Sequence, residues 1–225
     1  MSIKIENYYL LSVLSLLILQ KLIFLFMAAP LPDEAYYWLW AKNFDLSYFD
    51  HPPLSIWIQS LWGFIVTDKN LLIRIVPISS FILFLVIIYF WTKVLVTSFS
   101  LNIYFKNLIL VLSLPLLSIF LTISFPDCLV ILCLSLSGFF FSMFLRSSES
   151  QPGRIYFWYL SVFFFSLAIL TKYNSVLFGF GIFIFLGFYS RQKPIIFSRH
   201  IIIAIILIAM IQIPVVGWNI KNEFL

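Results

Sequence analysis

Residues 8–29 read YYLLSVLSLLILQKLIFLFMAA, an apolar run whose single charge is Lys21. About 20 mostly apolar residues are enough for a helix to cross the hydrocarbon of a bilayer, so this run predicts a first membrane-spanning helix. The run is longer than the apolar part of a signal peptide, and no small-x-small cleavage site follows it. We therefore expect this helix to be retained.

The composition of the whole chain agrees with a membrane location. Of the 225 residues, 63% are hydrophobic and 10% are charged, whereas soluble domains average about 45–50% apolar and about 25% charged residues. The net charge of +5 comes without a basic cluster interleaved with aromatic residues, so we expect no nucleic-acid partner. The composition predicts an all-α integral membrane protein.

Six further apolar runs follow the first. Together they predict a bundle of about seven membrane-spanning helices in a single domain over residues 1–225, with a kink in the third helix at Pro115. The limits of the six runs are 71–96, 108–123, 128–145, 156–170, 175–189 and 201–217.

The long first loop, residues 30–70, is more than a connection between the first two spans. Asp33 and Glu34 precede the aromatic segment 35–42, which predicts a helix with acidic residues in its first turn. The apolar segment 54–66 is too short to span a membrane. Both segments are predicted to be amphipathic helices on the membrane surface, because tryptophan favours that interface. The tryptophans are Trp38, Trp40, Trp57 and Trp62.

The charges predict which side of the membrane the first loop faces. With the N-terminus in the cytoplasm, eight Lys and Arg residues lie at the inner ends of the spans and five at the outer ends, as the positive-inside rule favours. The first loop is then outside, and the asymmetry of the acidic residues predicts a carboxylate-lined outer site. The acidic residues on that side are Asp33, Glu34, Asp45, Asp50, Asp68, Asp127 and Glu223.

The first loop holds two candidate groups for chemistry. Asp33 and Glu34 suit either an N-terminal cap of the aromatic helix or a general base that accepts a proton from an acceptor hydroxyl. Pro52 forces His51 into an extended conformation, so Asp50 and His51 belong either to a rigid loop or to a site for a phosphate or a metal ion. Asp33 is a further possible metal ligand, but a single histidine has no diagnostic spacing, and metal use stays open.

Three charged residues lie at the ends of other spans. Asp127 follows Pro126, which is either an ordinary helix start or part of the outer site. Lys172 and Arg74 either extend to the interface from their helices or neutralise a lipid-linked phosphate. Groups of these types on one face would stabilise a phosphate leaving group and an oxocarbenium-like sugar.

These residues resemble the first outer loop of the dolichyl-phosphate-mannose protein mannosyltransferase superfamily, whose bacterial branch includes the aminoarabinose transferases that modify lipid A. Later elements resemble the family in the same order along the chain. The matching segments are DEAYYW at 33–38, YFDHPPL at 48–54, RIVP at 74–77, PD at 126–127, AILTKY at 168–173, Pro214 and Trp218-Asn219.

The resemblance implies a GT-C fold and transfer from a polyprenyl-phosphate sugar to a lipid, glycan or protein acceptor. It implies that the enzyme acts on the periplasmic or lumenal face of its membrane, and a bacterial inner membrane is the expected setting. Asp33 matches the catalytic aspartate of the family, and Asp50 and His51 match positions near the donor phosphate. Lys172 and Arg74 are expected at the same phosphate. Glu34, Asp127 and Tyr173 are expected to line the cavity.

The chain departs from the family in two respects. Aminoarabinose transferases usually have Glu-Lys-Pro where this chain has Asp50-His51-Pro52, so the donated sugar stays open. Family members are also longer, and we expect this chain to lack their C-terminal part. The alternatives to an enzyme are a non-catalytic fragment or accessory subunit, or a membrane lipid transporter.

Overall fold

The structure is a computed structural model that describes residues 5–148, 151–188 and 193–223. Within these residues all regular structure is helical, which confirms the all-α prediction. The chain divides into two compact units. Unit 1 comprises Met1–Lys42 and Ile58–Leu132, and unit 2 comprises Asn43–Trp57 and Cys133–Leu225.

Eleven α-helices are formed by the described residues. Helix α3 begins in unit 2 and ends in unit 1, and α7 begins in unit 1 and continues into unit 2. In chain order the helices are α1 (Ile5–Met27), α2 (Pro32–Lys42), α3 (Leu54–Trp62), α4 (Lys69–Leu95), α5 (Leu101–Leu112), α6 (Pro115–Phe120), α7 (Pro126–Arg146), α8 (Arg154–Ile169), α9 (Val176–Phe188), α10 (Arg199–Ile211) and α11 (Ile213–Lys221).

The third predicted span is broken in the structure instead of kinked. Helix α5 ends at Leu112 and α6 begins at Pro115, because proline has no N–H to donate and suits the first turn of a new helix. Helix α5 also begins earlier than predicted, where the Ser100 side chain caps it by accepting a hydrogen bond from the Ile103 N–H at 3.3 Å. The start of α5 lies beside the start of α1, since Asn102 Nδ2 donates to Asn7 Oδ1 at 2.7 Å.

Unit 2 packs α8, α9 and α10 around an aromatic core in which Phe144 and Trp158 are buried. At one end of this unit the Tyr159 hydroxyl lies 2.7 Å from His200 Nδ1. Helices α10 and α11 meet at an angle of 44°. Gln212 lies at this bend and donates from Nε2 to the Ser166 carbonyl at 3.1 Å, so the bend has a hydrogen-bonded partner on α8.

Three helices are long and apolar enough to cross a membrane, namely Asn7–Met27, Lys69–Leu95 and Pro126–Arg146. The bent pair α10 and α11 makes up to four if it counts as one span. Leu101–Leu112, Arg154–Ile169 and Tyr173–Phe188 are shorter apolar helices. The integral membrane character is therefore supported, whereas the number of seven spans stays a prediction. The last residue of the predicted span 175–189 lies outside the described residues.

Both helices predicted in the first loop are present. Helix α2 carries Asp33 and Glu34 in its first turn, as the sequence predicts. Helix α3 has nine residues and ends four residues earlier than the predicted segment 54–66. The part of α3 that belongs to unit 1 is fixed by Gln59. This side chain is 2% exposed and donates from Nε2 to the Leu72 carbonyl at 3.2 Å.

Candidate active site

Glu34 is completely buried and accepts three hydrogen bonds. Its Oε2 accepts from the Leu31 N–H at 2.8 Å, which is the contact of an N-terminal cap across the first turn of α2. Oε2 also accepts from Arg74 Nη2 at 2.9 Å, and Oε1 accepts from the Ser124 N–H at 2.7 Å. Glu34 therefore joins α2, α4 and the segment before α7 within unit 1.

Arg74, the partner of Glu34, is 3% exposed. Its Nη1 donates to the Phe24 carbonyl at 3.3 Å and its Nη2 to the Ala29 carbonyl at 3.4 Å. The two side chains form an ion pair, with Arg74 Nη2 2.9 Å from Glu34 Oε2. The charge of Arg74 thus has a protein partner, and the contact of Arg74 with a donor phosphate stays a prediction.

Asp33 differs from its neighbour Glu34. Its side chain is exposed and makes no hydrogen bond or ion pair with any described residue. Residues three, four and seven positions further along a helix lie on the same face, and here these are Tyr36, Tyr37 and Trp40. The ring centroids of Tyr36 and Trp40 are 4.3 Å apart. Asp33 therefore stands at the end of an aromatic surface.

In unit 2, two predicted motifs lie next to each other. The Leu54 N–H, which follows Asp50-His51-Pro52-Pro53, donates to the Leu170 carbonyl at 3.1 Å. Leu170 is two residues before Lys172. Asp50 is exposed and His51 is half-buried, whereas both prolines are almost fully buried. The rigid Pro52-Pro53 dipeptide is thus buried, and Asp50 and His51 directly precede it in the chain.

The turn that contains Lys172 is fixed by hydrogen bonds from two neighbouring hydroxyl groups. The hydroxyl of Thr171 donates to the Leu167 carbonyl at 2.8 Å, and that of Ser175 to the Ala168 carbonyl at 3.0 Å. Between these buried residues, Lys172 is extended (φ −158°, ψ 126°) and half-buried, and Tyr173 is 49% exposed. The structure brings the DHPP loop and Lys172 together in unit 2.

Asp127 lies in the first turn of α7 and is half-buried. The segment just before it is bonded to Glu34 through Ser124, so the structure brings Glu34, Arg74 and the start of α7 together in unit 1. A carboxylate in the first turn also interacts favourably with the helix dipole. The place of Asp127 in the outer site stays a prediction.

Asp45, predicted only as one of the outer acids, joins several parts of unit 2 through contacts that the sequence did not predict. Its Oδ2 accepts from Trp218 Nε1 at 3.0 Å, and its carbonyl accepts from Trp57 Nε1 at 2.8 Å. Its N–H donates to the Tyr48 hydroxyl at 3.2 Å. Burial raises the pKa of Tyr48, the bond from the Asp45 N–H partly opposes this rise, and the charge of Asp45 adds to it. Asp45 and Trp218 are 173 residues apart in the chain. No feature of the local sequence indicates that they pair.

Among the described residues no group of three or more His, Cys, Asp or Glu side chains is arranged to hold a metal ion. Metal use by Asp33, Asp50 and His51, which the sequence leaves open, therefore gains no support from clustering. Phosphate binding by cationic side chains needs no metal, and the arrangement in unit 2 is compatible with it.

Comparison with known proteins gives one family. The model of the dolichyl-phosphate-mannose-protein mannosyltransferase family matches residues 50–218. No curated protein and no solved structure matches the chain. Asp33 and Glu34 lie before the matched segment. The predicted site residues inside it are Asp50, His51, Arg74, Asp127, Lys172 and Tyr173.

Proposed function

The chain belongs to the dolichyl-phosphate-mannose-protein mannosyltransferase family of GT-C membrane glycosyltransferases, and we propose that it transfers a sugar from polyprenyl phosphate to a lipid, glycan or protein acceptor. The observation that carries this proposal is the family match over 50–218. The proposed setting is the outer face of a bacterial inner membrane, where a lipid A-like lipid is one possible acceptor.

The donor phosphate is proposed to bind in unit 2. The hydrogen bond from the Leu54 N–H to the Leu170 carbonyl supports this assignment, because it keeps Asp50 and His51 beside the turn of Lys172. A lysine ammonium and an imidazolium neutralise the charge that develops on a departing phosphate. Tyr173, half-exposed on the same turn, is proposed to line the cavity. Arg74 is the weaker phosphate candidate, since Glu34 already neutralises it.

Asp33 is proposed as the general base. In the transfer step the acceptor oxygen forms a bond to the anomeric carbon while the bond from that carbon to the phosphate oxygen breaks. The electron pair leaves with the phosphate, the acceptor proton passes to Asp33, and the anomeric centre inverts. The exposed, unpaired carboxylate supports this role, since a base must reach the acceptor. The neighbouring rings of Tyr36 and Trp40 offer an apolar surface for a sugar ring.

Seven membrane crossings are part of the proposal. In unit 1, Asn7 near the start of α1 bonds to Asn102 at the start of α5. Glu34, which follows α1, bonds to Ser124, which follows α6. These contacts support three crossings, by α1, α4 and the broken pair α5–α6. At the break, the N–H groups of Ser113 and Leu114 donate to the Ile109 and Val111 carbonyls, so these donors have partners within the chain, as the hydrocarbon region of a membrane requires.

Contacts within unit 2 support the remaining four crossings. The Leu54–Leu170 bond requires an even number of crossings between these residues, which α4, α5–α6, α7 and α8 supply. The Asp45–Trp218 bond likewise requires an even number of crossings after Leu170, and α9 with the bent pair α10–α11 supplies two. The short helices thereby count as spans although their lengths alone do not qualify them.

Replacement of Asp33 tests the function. We expect Asp33→Asn to lower transfer to a hydroxyl acceptor by about 10²–10⁴-fold. The measurement is mass spectrometry of envelope lipids and glycans from a deletion strain that carries the wild-type gene or the variant, expressed equally. The matched control is Asp68→Asn, because Asp68 is an exposed aspartate of the same loop that caps α4.

Each result has a definite meaning. A sugar-sized mass that is lost on deletion, returns with wild type and with Asp68→Asn, and stays absent with Asp33→Asn supports both the transferase and the base. If Asp33→Asn restores the mass fully, the base assignment is wrong: either another group takes the proton, or the acceptor is a phosphate, which is already a nucleophile and needs no base. If deletion changes no lipid or glycan, the chain is an accessory or inactive protein.

A further inference from the structure

A groove in unit 1 runs along α1 beside α6. Its volume is about 490 Å³, within the range of about 300–1,000 Å³ that ligand pockets have. Several of its lining side chains are exposed apolar groups of membrane-spanning α1, so the groove is open to hydrocarbon. The residues of α1 and of the position after it are Gln20, Lys21, Ile23, Phe24, Met27 and Ala28. The opposite wall consists of Ser118, Ile119, Thr122 and Ile123.

Lys21 is the charged residue of this groove, and it is 3% exposed. Its Nζ donates to the Ser118 carbonyl and, at 2.8 Å, to the Thr122 hydroxyl, and it lies 5.1 Å from the centre of the Phe81 ring. A lysine ammonium has three N–H donors, and two of them have hydrogen-bond acceptors among the described residues. One donor is therefore left for a ligand.

The charge of Lys21 has no carboxylate partner among the described residues, since its contacts there are the Ser118 carbonyl, the Thr122 hydroxyl and the Phe81 ring. The two cations are close along α1, because the Phe24 carbonyl, three residues after Lys21, accepts from Arg74. Three residues of helix rise about 4.5 Å. This part of unit 1 thus holds two buried cations and one buried carboxylate. Ionisable groups inside a membrane are costly and usually have a partner.

We propose that the groove binds a polyprenyl monophosphate, with its chain along the apolar wall of α1 and its phosphate on Lys21. An anionic head supplies the missing negative charge and accepts the third N–H. A single groove suits one chain, whereas a diacyl phospholipid has two. The class of lipid rests on the proposed function, but the site does not. The groove shares no residue with the donor site proposed in unit 2.

Binding of farnesyl phosphate to the full-length chain in phosphatidylcholine nanodiscs tests the site. We expect Lys21→Met to weaken binding by about tenfold or more, as loss of a hydrogen bond to a charged group does. Lys93→Met is the matched control, because Lys93 is also a helix lysine over aromatic rings and lies far along α4 from the groove. Farnesol, which has no phosphate, should bind weakly and equally to wild type and Lys21→Met.

A second measurement keeps the proposal testable if Lys21→Met fails to fold. A benzophenone-bearing prenyl phosphate should label the wild-type chain within 20–28 or 118–123, and excess farnesyl phosphate should suppress the labelling. Equal binding by wild type and Lys21→Met, or labelling elsewhere, overturns the site. If phosphatidylglycerol competes as well as farnesyl phosphate does, the occupant is a membrane phospholipid and the polyprenyl assignment is wrong.

The result is separable from the proposed transferase. If Lys21→Met loses lipid binding but deletion of the gene changes no glycan, the lipid site is supported and the transferase proposal is wrong. A glycan phenotype that depends on Asp33, with no effect of Lys21→Met on binding or on labelling, leaves the enzyme standing and removes the site.

Discussion

The first loop is attached to helices at two places that differ in chemistry. In unit 1, Glu34 and Arg74 form an ion pair with exposures of 0% and 3%. In unit 2, the half-exposed Asp45 is held by the indole N–H groups of Trp218 and Trp57. The first attachment joins two charges that water cannot reach, and the second joins one charge to neutral donors that water can replace.

This difference predicts that the two attachments of the first loop differ in how much they stabilise the protein and in how easily they open. Removal of one partner from a buried pair leaves an uncompensated charge, so the unit 1 attachment must be complete or it becomes unfavourable. A half-exposed hydrogen bond contributes little on average, because water competes for both partners. We therefore expect the unit 1 segment of the loop to act as fixed structure and the unit 2 segment to open more easily.

The largest expected effect concerns the ion pair. We expect Glu34→Gln to lower the free energy of unfolding by about 3–5 kcal/mol, because Arg74 then stays buried without a counter-charge. The measurement is equilibrium unfolding in mixed micelles. Asp33→Asn, at the adjacent exposed acid, is the control and should change the free energy by less than about 0.5 kcal/mol. Similar effects at the two positions would contradict the burial contrast between them.

A double-mutant cycle sharpens this result. If the pair acts as one unit, Glu34→Gln combined with Arg74→Met should cost less than the sum of the two single changes. Additive effects would show that Glu34 acts through the Ser124 and Leu31 N–H groups instead of the guanidinium.

A smaller effect is expected at the other attachment. Trp218→Phe removes the donor to Asp45 Oδ2, and water takes its place, so we expect a loss of about 1 kcal/mol. Amide hydrogen exchange of residues 43–57 should become faster while that of α2 is unchanged. Trp62→Phe is the matched control, because its indole has no hydrogen-bond partner among the described residues. Equal acceleration in both variants would mean that ring packing, and not the bond to Asp45, holds the segment.

The smallest expected effect is seen with pH. Burial raises the pKa of Tyr48 above the ordinary value of 10.0, so the folded chain holds this proton more tightly than the unfolded chain does. The stabilisation is complete below pH 10 and is lost as the pH rises through the folded pKa. Tyr48→Phe should make this part of the alkaline loss disappear. At neutral pH it should cost about 1 kcal/mol or less, for the bond to the Asn43 carbonyl. An unchanged alkaline slope would contradict the assignment.

Much of the fold follows from hydropathy alone. The runs at 8–29, 71–96 and 128–145 predict α1, α4 and α7 to within a few residues, because a run of hydrocarbon length needs no tertiary information to be recognised. The breaks at Ser113 and Gln212 are harder to predict. Proline marks their neighbourhood, but whether a helix kinks or stops depends on which partners accept the freed backbone groups.

The candidate site shows a similar limit. Asp33 and Glu34 are adjacent acids with the same local signal, and their opposite fates depend on Arg74, forty positions from Glu34. A cation within the span 71–96 does call for a counter-charge, so the pairing of Arg74 was open to inference. The bond between Asp45 and Trp218, 173 residues apart, leaves no such trace in charge or periodicity.

Lys21 also has a consequence for biosynthesis. Its acceptor Ser118 follows 97 residues later in the chain, and at about 5–20 residues per second the ribosome takes about 5–20 s to reach it. During that interval α1 remains in the bilayer with its lysine unpaired, at a cost of about 2.5–3.5 kcal/mol if the charge is near the middle of the helix. Each Leu, Ile or Phe of 8–29 offsets about 0.3–0.6 kcal/mol of this. The first helix is thus apolar enough to enter alone, and its lysine gains its two hydrogen-bond acceptors, Ser118 and Thr122, only after α6 has left the ribosome.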